Sequence, residues 1–170
     1  MVGREHRFSA PRRLRKADDR SQFDSGAFEL DEWLQRYSWQ NQQADNAITY
    51  VVTAENRVVA YYALAASNVS RESVLREFSR SRPAAIPCIL LARLAVDKEF
   101  HGIGLGKALF RDAVLRAIQT SQIVGAAALL VHSRDEVGRD FYEAIGDLTR
   151  SPLDPLQLVL PLSRAVLLAE

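Results

Sequence analysis

A single cysteine, Cys88, among 170 residues leaves the chain no means of forming an internal disulfide. It falls in a predicted strand, where a thiol packs as a small apolar side chain rather than reacting. Long apolar runs are also missing: none approaches the ~18 residues that a membrane-spanning helix needs, and the arginine-rich start has no apolar leader segment. These absences predict a cytosolic protein with no membrane partner. A formal net charge of +1 excludes a polycation that binds nucleic acid by bulk charge. Internal repeats and low-complexity segments are absent too. What is present is globular in kind: 48% hydrophobic and 25% charged residues, in a length that suits one domain with a real core.

Positive charge is unevenly spread. Met1 to Arg20 carries seven Arg/Lys against three acids, and Arg71 to Arg93 five arginines against two acids. Such stretches are either solvated surface or local tracks for phosphate.

Residues up to Arg20 read as polar and basic, with room for an edge strand. Phe23-Asp24-Ser25-Gly26 reads as a helix entry in which Asp24 or Ser25 caps free amides, with the helix running to about Gln40. Leu30, Trp33, Leu34 and Tyr37 then share one face by the i, i+3, i+4, i+7 rule. Trp33 is expected in the core; Trp39 is either core or a partner surface. Ile48 to Thr53 and Val58 to Ala66 are strand-like runs joined at Glu55-Asn56-Arg57, a hairpin. A polar connection, Ser67 to Pro87, holds a short helix from Arg71 to Phe78. A strand from Ile89 to Val96 follows. Then come a helix from about Gly104 to Thr120, a strand from Ala126 to His132, and a short helix opened by a capping box, Ser133-x-x-Glu136, and ended by Gly146. Leu156 to Leu160 is a last strand. This order implies an α/β protein with a mixed sheet, parallel where helices cross over.

The informative stretch is Leu91 to Phe110. A buried strand empties through Asp97, Lys98 and Glu99 into His101-Gly102-Ile103-Gly104-Leu105-Gly106 and then directly into a helix. Amides of a first helical turn have no intrahelical acceptor, the helix dipole favours negative charge there, and glycine admits a ligand close to backbone. The corner is therefore a phosphate cradle or a plain strand-to-helix turn. A nucleotide-binding P-loop is excluded, because Gly106-Lys107 is followed by Ala108 and magnesium would lack its hydroxyl ligand. A dinucleotide fingerprint is excluded by the glycine interval and by the lack of an acid at Ala126 to Val131.

What remains resembles the acetyl-CoA corner of the GNAT acetyltransferase superfamily, Gln/Arg-x-x-Gly-x-Gly/Ala, here His101-x-x-Gly104-x-Gly106 after Leu94-Ala95-Val96-Asp97. The resemblance implies a single-domain GNAT acyl-CoA N-acyltransferase fold over residues 1–162, leaving 163–170 as a tail without a clear role. It implies acetyl-CoA as acetyl donor, no metal, and a splayed strand, Leu94-Ala95-Val96, whose free amides meet the pantetheine arm. His101, Gly102, Ile103, Gly104, Leu105 and Gly106 would hold the pyrophosphate, with Ser133 and Phe141 beside the arm. The His101 side chain departs from the family pattern, so the amides of the corner matter more than its ring.

Phe141-Tyr142-x-x-x-Gly146 resembles the superfamily's catalytic tyrosine segment. A thiol with pKa near ~8.5 leaves better when a phenol with pKa near ~10 gives it a proton or hydrogen bond. The other reading of Tyr142 is packing between helix and sheet. Gly138 reads as a mid-helix glycine left small for the CoA arm. No Asp or Glu lies on Cys88 to Val96, where many GNAT enzymes carry a general base. An α-amino group, near ~7.7 to 8.0, needs one less than a lysine amine near ~10.4, although Asp97, Glu99 or a water can still serve.

Further motifs narrow the resemblance: Tyr61-Tyr62-Ala63-Leu64-Ala65, Arg82-Pro83-x-x-x-Pro87, Leu91-Ala92-Arg93-Leu94-Ala95-Val96-Asp97 and Leu130-Val131-His132. With the corner they are similar to the GNAT toxins of bacterial type II toxin-antitoxin systems, from about residue 8 to Leu162. That subgroup implies acetylation of the α-amino group of aminoacyl-tRNA, a ribbon-helix-helix antitoxin as partner, and a homodimer. Arg76, Arg80, Arg82 and Arg93 would line the tRNA groove, with Arg12, Arg13 and Lys16 as further contacts; Arg93 is equally an ion-pair residue of the strand. The family's Gly-Phe after the tyrosine helix is here Gly146-Asp147, which removes a core aromatic. Two rival readings keep the fold: an acetyltransferase for a small amine or a protein N-terminus, and a non-catalytic module that holds nucleic acid or a partner.

Overall fold

The computed structural model describes residues 7–169; Met1 to His6 of the basic N-terminal stretch and Glu170 of the tail lie outside the described residues. The strands are β1 (Arg12–Arg13), β2 (Ile48–Ala54), β3 (Arg57–Ser70), β4 (Ala85–Val96), β5 (Ala128–His132), β6 (Thr149–Arg150) and β7 (Gln157–Pro161). They form one mixed sheet in the order β1-β2-β3-β4-β5-β7-β6. The pair β4–β5 is parallel and its crossover is the long helix α4 (Leu105–Ile123), whereas β1–β2, β2–β3, β5–β7 and β6–β7 are antiparallel. This is the mixed α/β sheet that alternating strands and helices imply. Among the described residues no helix is long and apolar enough to cross a membrane. Two compact units interleave along the chain, Met1–Leu64 with Arg93–Asp112, and Ala65–Ala92 with Ala113–Glu170.

In the first unit, a helical segment is built from α1 (Phe28–Glu32), a π-turn (Trp33–Tyr37) and α2 (Ser38–Gln43). The sequence predicts one uniform helix with Tyr37 on the buried face. Instead the Ser38 N–H donates to Trp33 O, an i→i−5 bond, so one extra residue enters the turn. The apolar stripe slips by that residue. Leu34 and Ser38 are fully buried, Gln42 nearly so, and Tyr37 is exposed. Leu34 O, deprived of its helical N–H, accepts from Ser38 Oγ at 2.6 Å and from the Arg20 guanidinium. The buried Gln42 amide clamps two backbones, donating to Leu14 O at 2.9 Å and accepting from Thr49 N at 3.0 Å. Asp24 and Ser25 do not cap α1. They build the preceding turn, accepting from Gly26 N and Ala27 N, because Gly26 (φ +91) turns the chain before the helix starts.

Trp33 lies in the core, stacked on Tyr61 at 6.0 Å, and Trp39 packs half-buried against the same cluster. Phe23 meets Tyr61 edge-on at 5.5 Å; each such ring pair adds about 0.5–1.5 kcal/mol beyond area burial. The β2–β3 hairpin closes through Glu55 (φ 52) and Asn56 (φ 60), a two-residue turn with both centres left-handed.

The second unit packs Val69, Val74, Ile86, Cys88, Leu130 and Val159 into its own core. Its elements include a 3-10 turn (Arg71–Ser73), α3 (Arg76–Ser79), α5 (Glu136–Ile145) and α6 (Leu162–Ala169). The polar connection is shorter than expected, since β3 extends to Ser70 and β4 starts at Ala85. The short helix over Arg71 to Phe78 breaks at Val74 and Leu75, which are extended. Cys88 is buried, and burial pushes its thiol up to about 11, consistent with inert packing. Asp147, in the place of the family aromatic, points outward into an ion pair with Arg164 of α6, while the neighbouring Leu148 is buried.

Candidate active site

β4 ends at Val96, and Asp97 then caps a 3-10 turn (Lys98–Phe100), its Oδ1 accepting from Glu99 N at 3.0 Å. Gly102 (φ +77) and Gly104 (φ +88) both adopt backbone that L-residues avoid. A Cβ built at either would meet nothing within 4 Å, so the corner presents open main chain. The 19-residue helix α4 (Leu105–Ile123) starts there, with Ala108 N donating to Gly104 O. Its first-turn amides have no carbonyl a turn earlier to bond, and the helix dipole adds positive potential. Open backbone, two left-handed glycines and a long helix N-terminus fit a diphosphate.

His101 Nε2 lies 2.6 Å from Val96 O, so the ring ties the corner back to the end of β4. The β4–β5 register runs from Cys88 to Leu91 and stops, while β4 continues to Val96. Leu94, Ala95 and Val96 thus lie beyond the registered stretch, Ala95 buried in the core and the other two half-buried. Ile103 is exposed.

Asp97 is not available as a base. Its buried carboxylate accepts from Arg57 Nη1 at 3.1 Å, Asp24 N at 3.1 Å and Glu99 N at 3.0 Å. Glu99 is itself paired with Arg57 Nη2 at 2.9 Å. Sequence reasoning passed over Arg57, which follows the hairpin turn with no local pattern to mark it. It also passed over the hydrogen bond from the Tyr62 phenol to the Asp112 carboxylate, which joins β3 to α4.

In the second unit, β5 delivers His132 and Ser133 to its C-terminal end. Ser133 N donates to Leu156 O at 2.7 Å, and its buried Oγ has no hydrogen-bond partner among the described residues. The cap of α5 is Asp135, not Ser133: its carboxylate accepts from Gly138 N at 2.8 Å. A charged oxygen is the stronger acceptor, and the chain at Asp135 is extended as a cap requires. Gly138 therefore sits in the first turn rather than mid-helix. Tyr142 is buried, with the Phe141 ring edge-on at 5.2 Å. Burial raises its phenol above the ordinary value, so the hydroxyl keeps its proton at any cellular pH.

The four arginines have different surroundings. Arg76 and Arg80 are exposed at the ends of α3. Arg82 is half-buried, its Nε donating to Phe78 O at 2.8 Å and its guanidinium 4.4 Å from the Phe78 ring centre. Arg93 lies over the Trp33 ring at 4.4 Å, a cation–π contact, with no ion pair among the described residues. Near the N-terminus, Arg12 is tied to Asp18. No cluster of three metal-ligating side chains occurs among the described residues.

Residues 45–146 match the family described as "Acetyltransferase (GNAT) domain". The chain is 40% identical over 153 residues to a protein of Mycobacterium tuberculosis named "tRNA-acetylating toxin", covering 90% of this chain and 92% of that one. Among solved structures it is similar to AtaT complexed with acetyl-methionyl-tRNAfMet, with a TM-score of 0.88 and 24% identity over 96% of this chain and 100% of that chain. A mutant of the AtaT toxin bound to the C-terminus of the antitoxin AtaR and acetyl-CoA gives a TM-score of 0.82 at 24% identity, over 95% of this chain and 97% of that one. At this identity the two structural likenesses show the fold.

Proposed function

This chain belongs to the GNAT acetyltransferase family, and from that premise we propose that it is a toxin that moves an acetyl group from acetyl-CoA to the α-amino group of an aminoacyl-tRNA and so stops translation. The observation that carries this reading is the 40% identity, over nearly the whole chain, to a tRNA-acetylating toxin. Two features support it: the open glycine corner at the start of α4, and a buried tyrosine, Tyr142, on α5.

The diphosphate of acetyl-CoA sits on the amides from His101 to Gly106, and the pantetheine arm pairs with the backbone of Leu94, Ala95 and Val96. The family resemblance assigns Ser133 and Phe141 to the coenzyme as well, and the Ser133 hydroxyl, without a hydrogen-bond partner among the described residues, is the kind of group a ligand satisfies. The neutral α-amine attacks the thioester carbonyl carbon, a C–N bond forms, and the tetrahedral intermediate collapses with cleavage of C–S. The leaving sulfur takes a proton or hydrogen bond from the Tyr142 phenol, and the proton released by the amine returns to the site through solvent. A phenol that burial keeps protonated is a hydrogen-bond donor for the thiolate as it forms. With Asp97 and Glu99 committed to Arg57, the site suits an amine that is already largely neutral, as the amine of an aminoacyl ester is.

Arg76 and Arg80 supply salt-dependent phosphate contacts to the acceptor stem. Arg82 and Arg93, stacked on rings, present their remaining N–H groups from fixed positions. The protein works in the cytosol as a homodimer and is neutralised by a ribbon-helix-helix antitoxin. Mass spectrometry of tRNA ends after incubation with acetyl-CoA tests the activity. Acetylated aminoacyl termini are expected, and unmodified termini with intact acetyl-CoA would refute it.

A further inference from the structure

Arg57 enters the chemistry above only as the partner that occupies Asp97 and Glu99, yet its side chain is only 12% exposed and meets both carboxylates at once. It opens β3, directly after the hairpin turn. Nη1 donates to Asp97 at 3.1 Å, Nη2 to Glu99 at 2.9 Å, and the guanidinium lies 5.4 Å from the centre of the Phe100 ring. All three partners belong to the short segment between the end of β4 and the glycine corner.

That segment is tied down on several sides. Asp97 N donates to Val59 O at 2.8 Å and Lys98 N to Asp24 O at 2.8 Å. Lys98 Nζ pairs with the Asp24 carboxylate at 2.8 Å. The Asp97 carboxylate joins the hairpin, through Arg57, to the loop before α1, through Asp24 N. Beyond the tie from His101 Nε2 to Val96 O, the corner has no comparable side-chain support among the described residues, since Gly102 and Gly104 have no side chains and open space beside them. Its shape is therefore imposed from upstream by this junction and from downstream by α4, which Tyr62 holds at Asp112. Without Arg57 the Asp97 charge keeps two backbone donors and loses its counter-ion in a buried setting, so the segment must shift toward water.

We propose that Arg57 is a positioning residue for the coenzyme: through Asp97 and Glu99 it holds the entry to the Gly102–Gly106 corner in the shape that receives the diphosphate. The inference rests on the reading of that corner as the diphosphate site. It is tested in the full chain with Arg57→Ala, Arg57→Lys and Glu99→Gln, by calorimetric titration of acetyl-CoA and by steady-state acetyl transfer to aminoacyl-tRNA. Arg57→Ala should raise both Kd and KM for acetyl-CoA by about tenfold, the order set by one charge-assisted hydrogen bond. Its kcat and its KM for tRNA should stay within about twofold of wild type, since no transition-state contact is removed. Arg57→Lys should recover part of the loss, because one ammonium can meet Asp97 but not both carboxylates. Glu99→Gln, altering an exposed partner, should give a smaller loss and remains informative if Arg57→Ala does not fold.

Wild-type coenzyme affinity in Arg57→Ala, or a parallel fall in kcat and rise in both KM values with a lower melting temperature, overturns the proposal. So does wild-type affinity in both Arg57→Lys and Glu99→Gln when the alanine variant is unfolded. Failure of the wild-type chain itself to bind acetyl-CoA would instead remove the diphosphate site, a result distinct from equal binding by wild type and variants.

Discussion

Replacing Gly104 by alanine separates backbone strain from ligand contact at the glycine corner. The residue has φ +88, and an L side chain in left-handed backbone costs about 1–2 kcal/mol. No steric penalty adds to this, because the new methyl would meet nothing within 4 Å. The stiffer unfolded chain returns about 0.4–1 kcal/mol, so the net loss is about 0.5–1 kcal/mol. For a chain of 170 residues, that lowers Tm by about 1–4 °C. The methyl also occupies the open side that the diphosphate must approach, and acetyl-CoA affinity should fall at least about tenfold, or ~1.4 kcal/mol. Scanning fluorimetry reads both effects, since a ligand raises stability by RT ln(1 + [L]/Kd). Gly125→Ala is the control: it has ordinary φ and equally open surroundings, so it should keep or slightly raise Tm and leave the acetyl-CoA shift intact. A Gly104→Ala protein with an undiminished acetyl-CoA shift would refute the argument that this face of the corner takes the ligand.

Further outcomes concern the phenol, the thiol and the arginines. Tyr142→Phe should fold and bind acetyl-CoA as wild type does, while kcat for tRNA acetylation drops by about 10²–10⁴; a fully toxic variant would remove the catalytic assignment. Because burial raises that phenol, wild-type kcat should show no alkaline loss from its ionisation below pH ~10. The Cys88 thiol, raised from 9.0 to about 11, loses its proton more readily in the unfolded chain. Its contribution is therefore complete below pH 9.0 and is lost as pH rises through about 11, amounting to about 2 kcal/mol in urea titrations of wild type against Cys88→Ala; identical alkaline slopes would contradict this. Arg76→Ala and Arg80→Ala should each reduce the salt slope of tRNA affinity by about 0.7–0.9, whereas Arg82→Ala, which also loses its contacts to Phe78, should lower Tm as well as the salt slope.

Where local pattern and tertiary demand agree, the elements could be read from the residues. The hairpin, the β4–α4–β5 crossover and the glycine corner all carry short-range signals: turn residues, apolar runs, and glycines at a helix start. Expectations failed where a competing partner decided them. Asp135 displaced Ser133 as the cap of α5 because its carboxylate, two residues nearer the helix, already satisfies the Gly138 amide. Asp97 looked like a spare base because its partners, Arg57 and Asp24, lie 40 and 73 residues away in sequence. Arg93 shows neither of its readings in local pattern: its neighbour is the face of Trp33, and no spacing rule links the two. Asp147 reads as a lost aromatic until Arg164 supplies a reason for a carboxylate there.

The wide turn at Trp33–Tyr37 makes the length of that helix inflexible. Deleting one residue from it would restore the regular pitch, rotate everything downstream by about 100° and swing the Gln42 amide away from Leu14 and Thr49. The Leu14 carbonyl and the Thr49 amide would then lose the side chain that satisfies both, and the Arg20 guanidinium would lose its contact with Ser38. Surface loops absorb gains and losses of single residues with little effect; here a one-residue change would unfasten the edge of the sheet.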